Sequence, residues 1–325
     1  MPGYGLTPPV PLALAKPVEA IPAAGELPGG CLYEPKWDGF RAAVFTGSPG
    51  PAIYSRSGAD LTARFPDLLP ALAALPDGIV LDAEAVIWSQ DRLDFAALQA
   101  RMSAGRRTLP PLARKTPASL AVFDLLAVAG TDVRGLPLRD RRTLLTELAT
   151  GWEPPLNLSP ATGDREEASA WFDAYAAAGI EGLVIKGAGQ PYRGGERQWL
   201  KVRHRHPVDV VAAAVLGSRS SPSVLVVGLP AGGRLRIVGR TVPLKREASR
   251  MIGRMLEPAG EDHPWPEEIS PRILDRFTDR TDPVRLVRVQ PVAAEVSADS
   301  AFENGSYRHP LRFIRLRPDL DTGAG

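Results

Sequence analysis

The chain has 325 residues, with 39 basic side chains against 37 acidic ones, a formal net charge of +2, and 44% apolar residues. That length is long for one hydrophobic core and comfortable for two. The single cysteine, Cys31, excludes an intrachain disulfide and a multi-cysteine zinc cluster. No run approaches the roughly 20 apolar residues of a membrane span. The N-terminus lacks the basic leader of a secretory signal. The expected protein is soluble and cytoplasmic.

In chain order, residues 1–28 are Pro-rich and read as an extended arm lying on the first domain. CLYEPKW and FRAAVFT read as a strand pair, AIYSRSG as a strand and IVLDAEAVIW as a long buried one. LDFAALQARMSA and EEASAWFDAYAAAG have helical spacing, the second closed by Gly179. SLAVFDLLAV, GLVIK and WLKVR are strands again. Strands not separated by regular helices predict an α+β fold with antiparallel sheets and flanking helices over residues 1–203. HRHPVD then reads as a linker. Beyond it, VDVVAAAVLG, SVLVVGL, RLRIVGR, VRLVRVQPVAAEVS and LRFIRLR read as strands and LKREASRMIGRMLEP as one inserted helix. That order predicts an OB-fold barrel over residues 204–325.

Only six of the basic residues are lysines: Lys16, Lys36, Lys115, Lys186, Lys201 and Lys245. Arginine keeps its proton and cannot act as an amine nucleophile, whereas lysine can, so each lysine merits inspection. No lysine follows a glycine, so there is no Walker loop. Gly187-Ala188-Gly189 lacks the third glycine of a dinucleotide fingerprint. His204, His206 and His309 lie in Arg-rich stretches and read as solvated or phosphate-facing. Lys36 stands at a strand end in Tyr33-Glu34-Pro35-Lys36-Trp37-Asp38-Gly39-Phe40-Arg41, between two carboxylates and before a glycine. Alone, the tetrapeptide Lys36-Trp37-Asp38-Gly39 reads no better than a surface salt bridge.

It is not alone. Ser55-Arg56-Ser57-Gly58, Leu81-Asp82-Ala83-Glu84, Val122-Phe123-Asp124, Glu181-Gly182-Leu183-Val184-Ile185-Lys186 and Trp199-Leu200-Lys201-Val202-Arg203 follow in order. The series resembles the ATP-dependent DNA ligases of the covalent nucleotidyltransferase superfamily, and most nearly the bacterial LigC and LigD type. The resemblance covers nearly the whole chain, through Arg308-His309-Pro310 and Arg312 to Asp319.

The resemblance implies that Lys36 attacks the α-phosphate of ATP and carries AMP through a P–N bond, dividing one hard step into easier ones. It further implies that Glu34 accepts a hydrogen bond from the adenine amino group, that Phe123 and Val184 pack on the two faces of the base, and that Arg56 and Glu84 hold the ribose. Arg41 is expected near the nick phosphate, and Lys186 and Lys201 on the α-phosphate. Glu181, with Glu84, is the expected carboxylate for Mg²⁺ or Mn²⁺. Arg315 and Arg317 alternate on a strand and would lie on one face. With Asp319 they match the family's closing Arg-x-Asp-Lys, except that Leu320 replaces the lysine. Arg203 likewise replaces a lysine that many members carry.

The implied substrate is nicked duplex DNA, sealed through a lysyl-adenylate and a DNA-adenylate in DNA repair, with Ku-like or polymerase partners. A nucleoid-associated monomer is expected, without the extra N-terminal DNA-binding domain of larger ligases. Arg106, Arg107, Arg114 and Lys115 form one candidate phosphate-contacting stripe, and Arg234, Arg236 and Arg240 another. The rival readings are an RNA ligase, a capping-type guanylyltransferase and a non-catalytic, ligase-derived DNA-binding scaffold.

Overall fold

The computed structural model describes residues 5–275, 278–299, 302–303 and 305–322. The chain divides into two compact units, Met1–His204 and Arg205–Gly325. Among the described residues no helix is long and apolar enough to cross a membrane.

The first unit is built on two sheets. The smaller joins β1 (Ala15–Pro17), β2 (Cys31–Pro35), β7 (Gly182–Gly187) and β8 (Trp199–Arg203) in the order β1–β8–β7–β2. The larger has a spine of β4 (Ala52–Ser55), β3 (Phe40–Phe45), β5 (Val80–Ser89) and β6 (Ala118–Val128). The short strands Arg92–Leu93, Thr131–Asp132 and Leu156–Leu158 complete its seven. Among the described residues this unit has five α-helices: α1 (Leu69–Ala73), α2 (Phe95–Ser103), α3 (Leu109–Lys115), α4 (Leu138–Leu148) and α5 (Arg165–Ala174).

Alternation of side chains along the strands divides the apolar residues among three layers. Val44, Leu81, Ala83, Leu120 and Val122 turn outward with Leu98 of α2 and Leu145 of α4. Ala43, Phe45, Val80 and Leu126 turn inward and meet Tyr192 and Trp199 between the sheets. Tyr33, Leu183, Ile185, Leu200 and Val202 cover the far side of the small sheet with Ala168 of α5.

Several sequence expectations are corrected. The segments around Lys36 are not a strand pair: β2 pairs with β7, whereas β3 pairs with β4 and β5. Lys36–Gly39 therefore crosses from one sheet to the other, and a Cβ on Gly39 would lie 2.3 Å from the Ala85 carbonyl oxygen. The N-terminal arm is more than a surface covering, because β1 pairs parallel with β8 and Val10, Leu12 and Ala13 are core residues. Helix α5 ends at Ala174. Gly179, at φ +83°, lies in the turn beyond it, where a Cβ would touch Leu93, so it does not cap the helix. The HRHPVD segment is not an irregular linker. Strand β9 begins at Arg205, and its first five residues pair with 295–299, so backbone pairing overrides the polar sequence.

The second unit has a five-stranded sheet in the order β11–β10–β9–β12–β13, from β9 (Arg205–Ser218), β10 (Ser221–Ala231), β11 (Arg234–Arg240), β12 (Val287–Asp299) and β13 (Arg312–Leu316). All these neighbours are antiparallel. A parallel bridge between Thr241 and Leu311, just past β11 and just before β13, joins the two edges. Helix α6 (Arg246–Met255) enters the chain between β11 and β12 and packs on β10. Its Ile252, followed by Leu256, joins Val210, Leu225, Val227 and Val296 in one core. A short helix, α7 (Pro271–Leu274), follows it.

Candidate active site

Three registers bring the candidate residues into one row. Val184 of β7 pairs with Glu34 of β2 on one side and with Lys201 of β8 on the other. The strand period of two places Lys186 on the same face as Val184, and places Arg197, Trp199 and Arg203 on the same face as Lys201. On the opposing sheet, Arg41 of β3 pairs with Glu84 of β5. The β5–β6 register shifts between Asp82↔Asp124 and Ala83↔Val122, leaving Phe123 as the extra residue of a bulge. Bulges re-aim side chains, and this one turns the Phe123 ring toward Trp199, 6.4 Å between centroids.

Between these rows lies a cleft of about 260 Å³, lined by Glu34, Lys36, Arg41, Arg56, Glu84, Phe123, Val184, Lys186 and Lys201. Nine of the residues singled out from sequence thus converge. Leu14, Ala15, Trp37, Arg197, Trp199 and Arg203 line it too. Alternation backward from Lys201 gives Trp199 and Arg197, so a signal for both lay in the sequence. Leu14 and Ala15 gave none, because the arm reaches the cleft only by pairing with β8.

Lys36 is fixed at its backbone and at its tip. Its N–H donates to the Gly182 carbonyl at 2.8 Å, and its carbonyl accepts from the Glu181 N–H at 3.0 Å. Its Nζ donates to Glu181 Oε2 in a close ion pair. Arg203 Nη2 lies 3.4 Å from the same oxygen. Glu181 is buried and immediately precedes β7.

Lys186 and Glu34 form a second pair, Nζ to Oε2 2.6 Å, with both side chains enclosed. Burial pushes the Glu34 carboxyl above its ordinary value and the Lys186 amine below, each against the pull of its partner. Lys186 Nζ lies 4.3 Å from the Trp199 ring centroid and 4.5 Å from that of Phe123. Its charge is committed to Glu34, so the phosphate-clamping role expected from sequence requires release from that pair. Glu34 Oε1 is buried and accepts no hydrogen bond.

Two more cleft groups are displaced from their ordinary values. Desolvation, followed by the cations of Arg203 and Lys36, lowers Lys201 to about 8. Desolvation raises Glu84 to about 7, outweighing the nearby cations of Lys36 and Arg41.

Arg41 is held by a carboxylate that sequence reasoning gave no role. Its Nε and Nη2 donate to the two oxygens of Asp82 at 2.8 and 2.6 Å. Tyr192 Oη donates to Asp82 Oδ2 at 2.6 Å and accepts from the Ala13 N–H at 2.9 Å. Burial, then the Asp82 charge, pushes the Tyr192 phenol well above its ordinary value, so it remains a donor. Arg56 is exposed in the turn after β4.

His204, expected to be solvated or phosphate-facing, instead stacks on Phe172 of α5 with ring centroids 3.7 Å apart, and burial lowers its pKa. Arg315 and Arg317 belong to the second unit. Arg315 meets Glu295 at 2.6 Å, and Arg317 approaches the same carboxylate at 4.0 Å while pairing with Asp319 at 2.9 Å.

The residues fit a nucleoside triphosphate. A buried acceptor without a donor, Glu34 Oε1, suits an exocyclic amine. Val184, Phe123 and Trp199 are apolar surfaces for a base, and the cations of Lys36, Lys201 and Arg197 suit phosphates. Among the described residues no group of three His, Cys, Asp or Glu side chains is assembled for a metal ion.

The family described as ATP dependent DNA ligase domain matches residues 12–203. DNA ligase C of Mycobacterium tuberculosis is 34% identical over 97% of this chain and 91% of its own length. DNA ligase C2 of Mycolicibacterium smegmatis is 32% identical over 97% and 92%. Among solved structures, the ligase domain of M. tuberculosis LigD aligns over 96% of both chains at 27% identity and a TM-score of 0.52. A mycobacterial DNA ligase D complexed with ATP and MES aligns over 96% of both at 26% identity and 0.53.

Proposed function

Since this chain belongs to the ATP-dependent DNA ligase family, we propose that Lys36 is the nucleophile through which it seals nicks. The carrying observation is the Lys36–Glu181 pair, which holds the one amine of the motif inside a cleft that also contains Glu34 and Lys201.

The reaction divides into three transfers. The neutral Lys36 amine attacks the α-phosphorus of ATP, forming the P–N bond as the α–β P–O bond breaks, and pyrophosphate leaves with the electron pair. The nick 5′-phosphate then takes AMP from Lys36, returning the amine. The 3′-hydroxyl finally attacks that activated phosphate and releases AMP. Glu34 Oε1 accepts from the adenine amino group, while Phe123 and Val184 enclose the base. Arg56 and Glu84 hold the ribose. Lys201 and Arg203 stabilise negative charge that grows on the phosphates in the transition state. Attack requires Lys36 to leave its ion pair and lose a proton. Glu181 and Glu84 would hold Mg²⁺ or Mn²⁺, which would supply charge neutralisation at the phosphates.

The second unit is read as an OB-type barrel. Its strand order, its parallel closing bridge and the helix between the third and fourth strands support this reading. Arg315 and Arg317, which share Glu295, are the residues it would bring to pyrophosphate.

The test is intact-mass measurement after stripping with pyrophosphate and incubation with ATP and Mg²⁺. One AMP adduct is expected in the wild type and none in Lys36→Ala, with sealing of a nicked duplex lost in parallel. Sealing that survives in Lys36→Arg would overturn the assignment, and an adduct formed from GTP in preference to ATP would favour the capping-type alternative.

A further inference from the structure

Helix α6 carries Arg246, Arg250 and Arg254 at every fourth residue, all exposed. Its other side is fixed. Ser249, Ile252 and Gly253 are buried, and a Cβ on Gly253 would come within 2.2 Å of the Ser220 carbonyl oxygen. The helix therefore cannot roll, and the three guanidinium groups form one ridge about 12 Å long at about 1.5 Å rise per residue.

The helix macrodipole favours only Arg254, in the last turn, and leaves Arg246 and Arg250 without such support. Like charges four residues apart destabilise a helix. Lys245 and Arg246 stand at its N-terminal end, where the macrodipole favours anions. The helix has one carboxylate, Glu247. Among the described residues, Arg246, Arg250 and Arg254 make no side-chain ion pair or hydrogen bond. The arginine stripe ending at Arg240 differs, since Arg240 faces Asp275 at 4.0 Å. At the far end of α6, Arg219 donates to the Leu256 carbonyl and adds a fourth positive charge. Residues that break local rules without internal compensation mark functional surfaces.

We propose that the α6 ridge seats the phosphate backbone of duplex DNA, an inference that rests on the DNA ligase reading above. A ridge of about 12 Å is long enough to meet more than one phosphate of a DNA strand, whose phosphates recur about every 3.4 Å of helix axis along a winding path. Arginine engages phosphate oxygens through its planar fork.

The experiment measures affinity of the full chain for a labelled nicked duplex in EDTA across a salt series. The slope of log K against log salt changes by about 0.9 for each phosphate contact. Replacing all three by glutamine (R246Q/R250Q/R254Q) is expected to make the slope shallower by about 2.7, whereas the triple lysine variant keeps the wild-type slope. Both should still form the AMP adduct without DNA, which reports a folded first unit and an intact nucleotide site. If the triple glutamine variant fails to fold, Arg250→Gln alone is measured, with an expected change of about 0.9. An unchanged slope in a folded glutamine variant overturns the proposal and leaves the ridge to an acidic protein partner or to solvent. A wild type that shows no salt-dependent binding to the duplex overturns the DNA ligase reading as well, so the two failures are distinguishable.

Discussion

Glu34 and Lys186 lie on neighbouring strands of the small sheet with their charged atoms 2.6 Å apart and almost no access to solvent. Breaking a buried pair by removing one partner strands the other charge, at a cost of about 3–5 kcal/mol. Glu34→Ala is therefore expected to lower stability by that order, measured by urea denaturation. The double variant Glu34→Ala/Lys186→Met should recover part of the loss. Equal stability of the single and double variants would show that the pair is not coupled. The same carboxylate is assigned to the adenine amino group, so Glu34→Gln should also weaken discrimination between ATP and GTP in adduct formation.

Lys201 is lowered to about 8 by burial and by the cations beside it. Between pH 8 and its ordinary value the unfolded chain binds a proton there that the folded chain has released, so stability from this site rises with pH. Below about pH 8 the folded protein carries a charged Lys201 at a cost. Lys201→Met should raise the melting temperature at pH 7 and lose that advantage by pH 10. Adduct formation should fail in this variant at both values. A melting temperature lowered at pH 7 would contradict the assignment.

Tyr192 links the N-terminal arm to Arg41 through Asp82. Tyr192→Phe removes one buried hydroxyl that both donates and accepts, costing about 1–3 kcal/mol. The family resemblance leads to the expectation that Arg41 meets the nick phosphate, so sealing should fall more than AMP loading of Lys36. Comparison of single-turnover sealing with intact-mass kinetics checks this, and an equal fall in both steps would remove Tyr192 as a positioning residue for Arg41.

Gly39 carries the crossing between the two sheets. Its missing Cβ would meet the Ala85 carbonyl oxygen at 2.3 Å and Glu84 Cγ at 2.9 Å. Gly39→Ala must push β3 away from β5, and overpacking of this kind costs about 1–3 kcal/mol. The displacement also shifts Lys36 relative to Glu84, so adduct formation should drop at least tenfold even at temperatures where the variant is folded. Circular dichroism and intact mass measure the two effects, and wild-type adduct kinetics would show that the crossing tolerates a side chain.

The sequence by itself marked the main strands, two of the first unit's helices (α2 and α5) and the chemistry-bearing side chains, but not α1, α3 or α4. Period-two alternation marked the strands, and the scarcity of lysine in an arginine-biased chain drew attention to Lys36, Lys186 and Lys201. Tertiary structure decided which sheet each strand joins, and with it the partners of each charge. Asp82 meets Arg41 across 41 positions and Tyr192 across 110, and no local pattern encodes contacts at such separations. The bulge that aims Phe123 and the arm that walls the cleft have the same origin. Register is settled by pairing and by packing of both faces at once, whereas alternation records only which residues share a face.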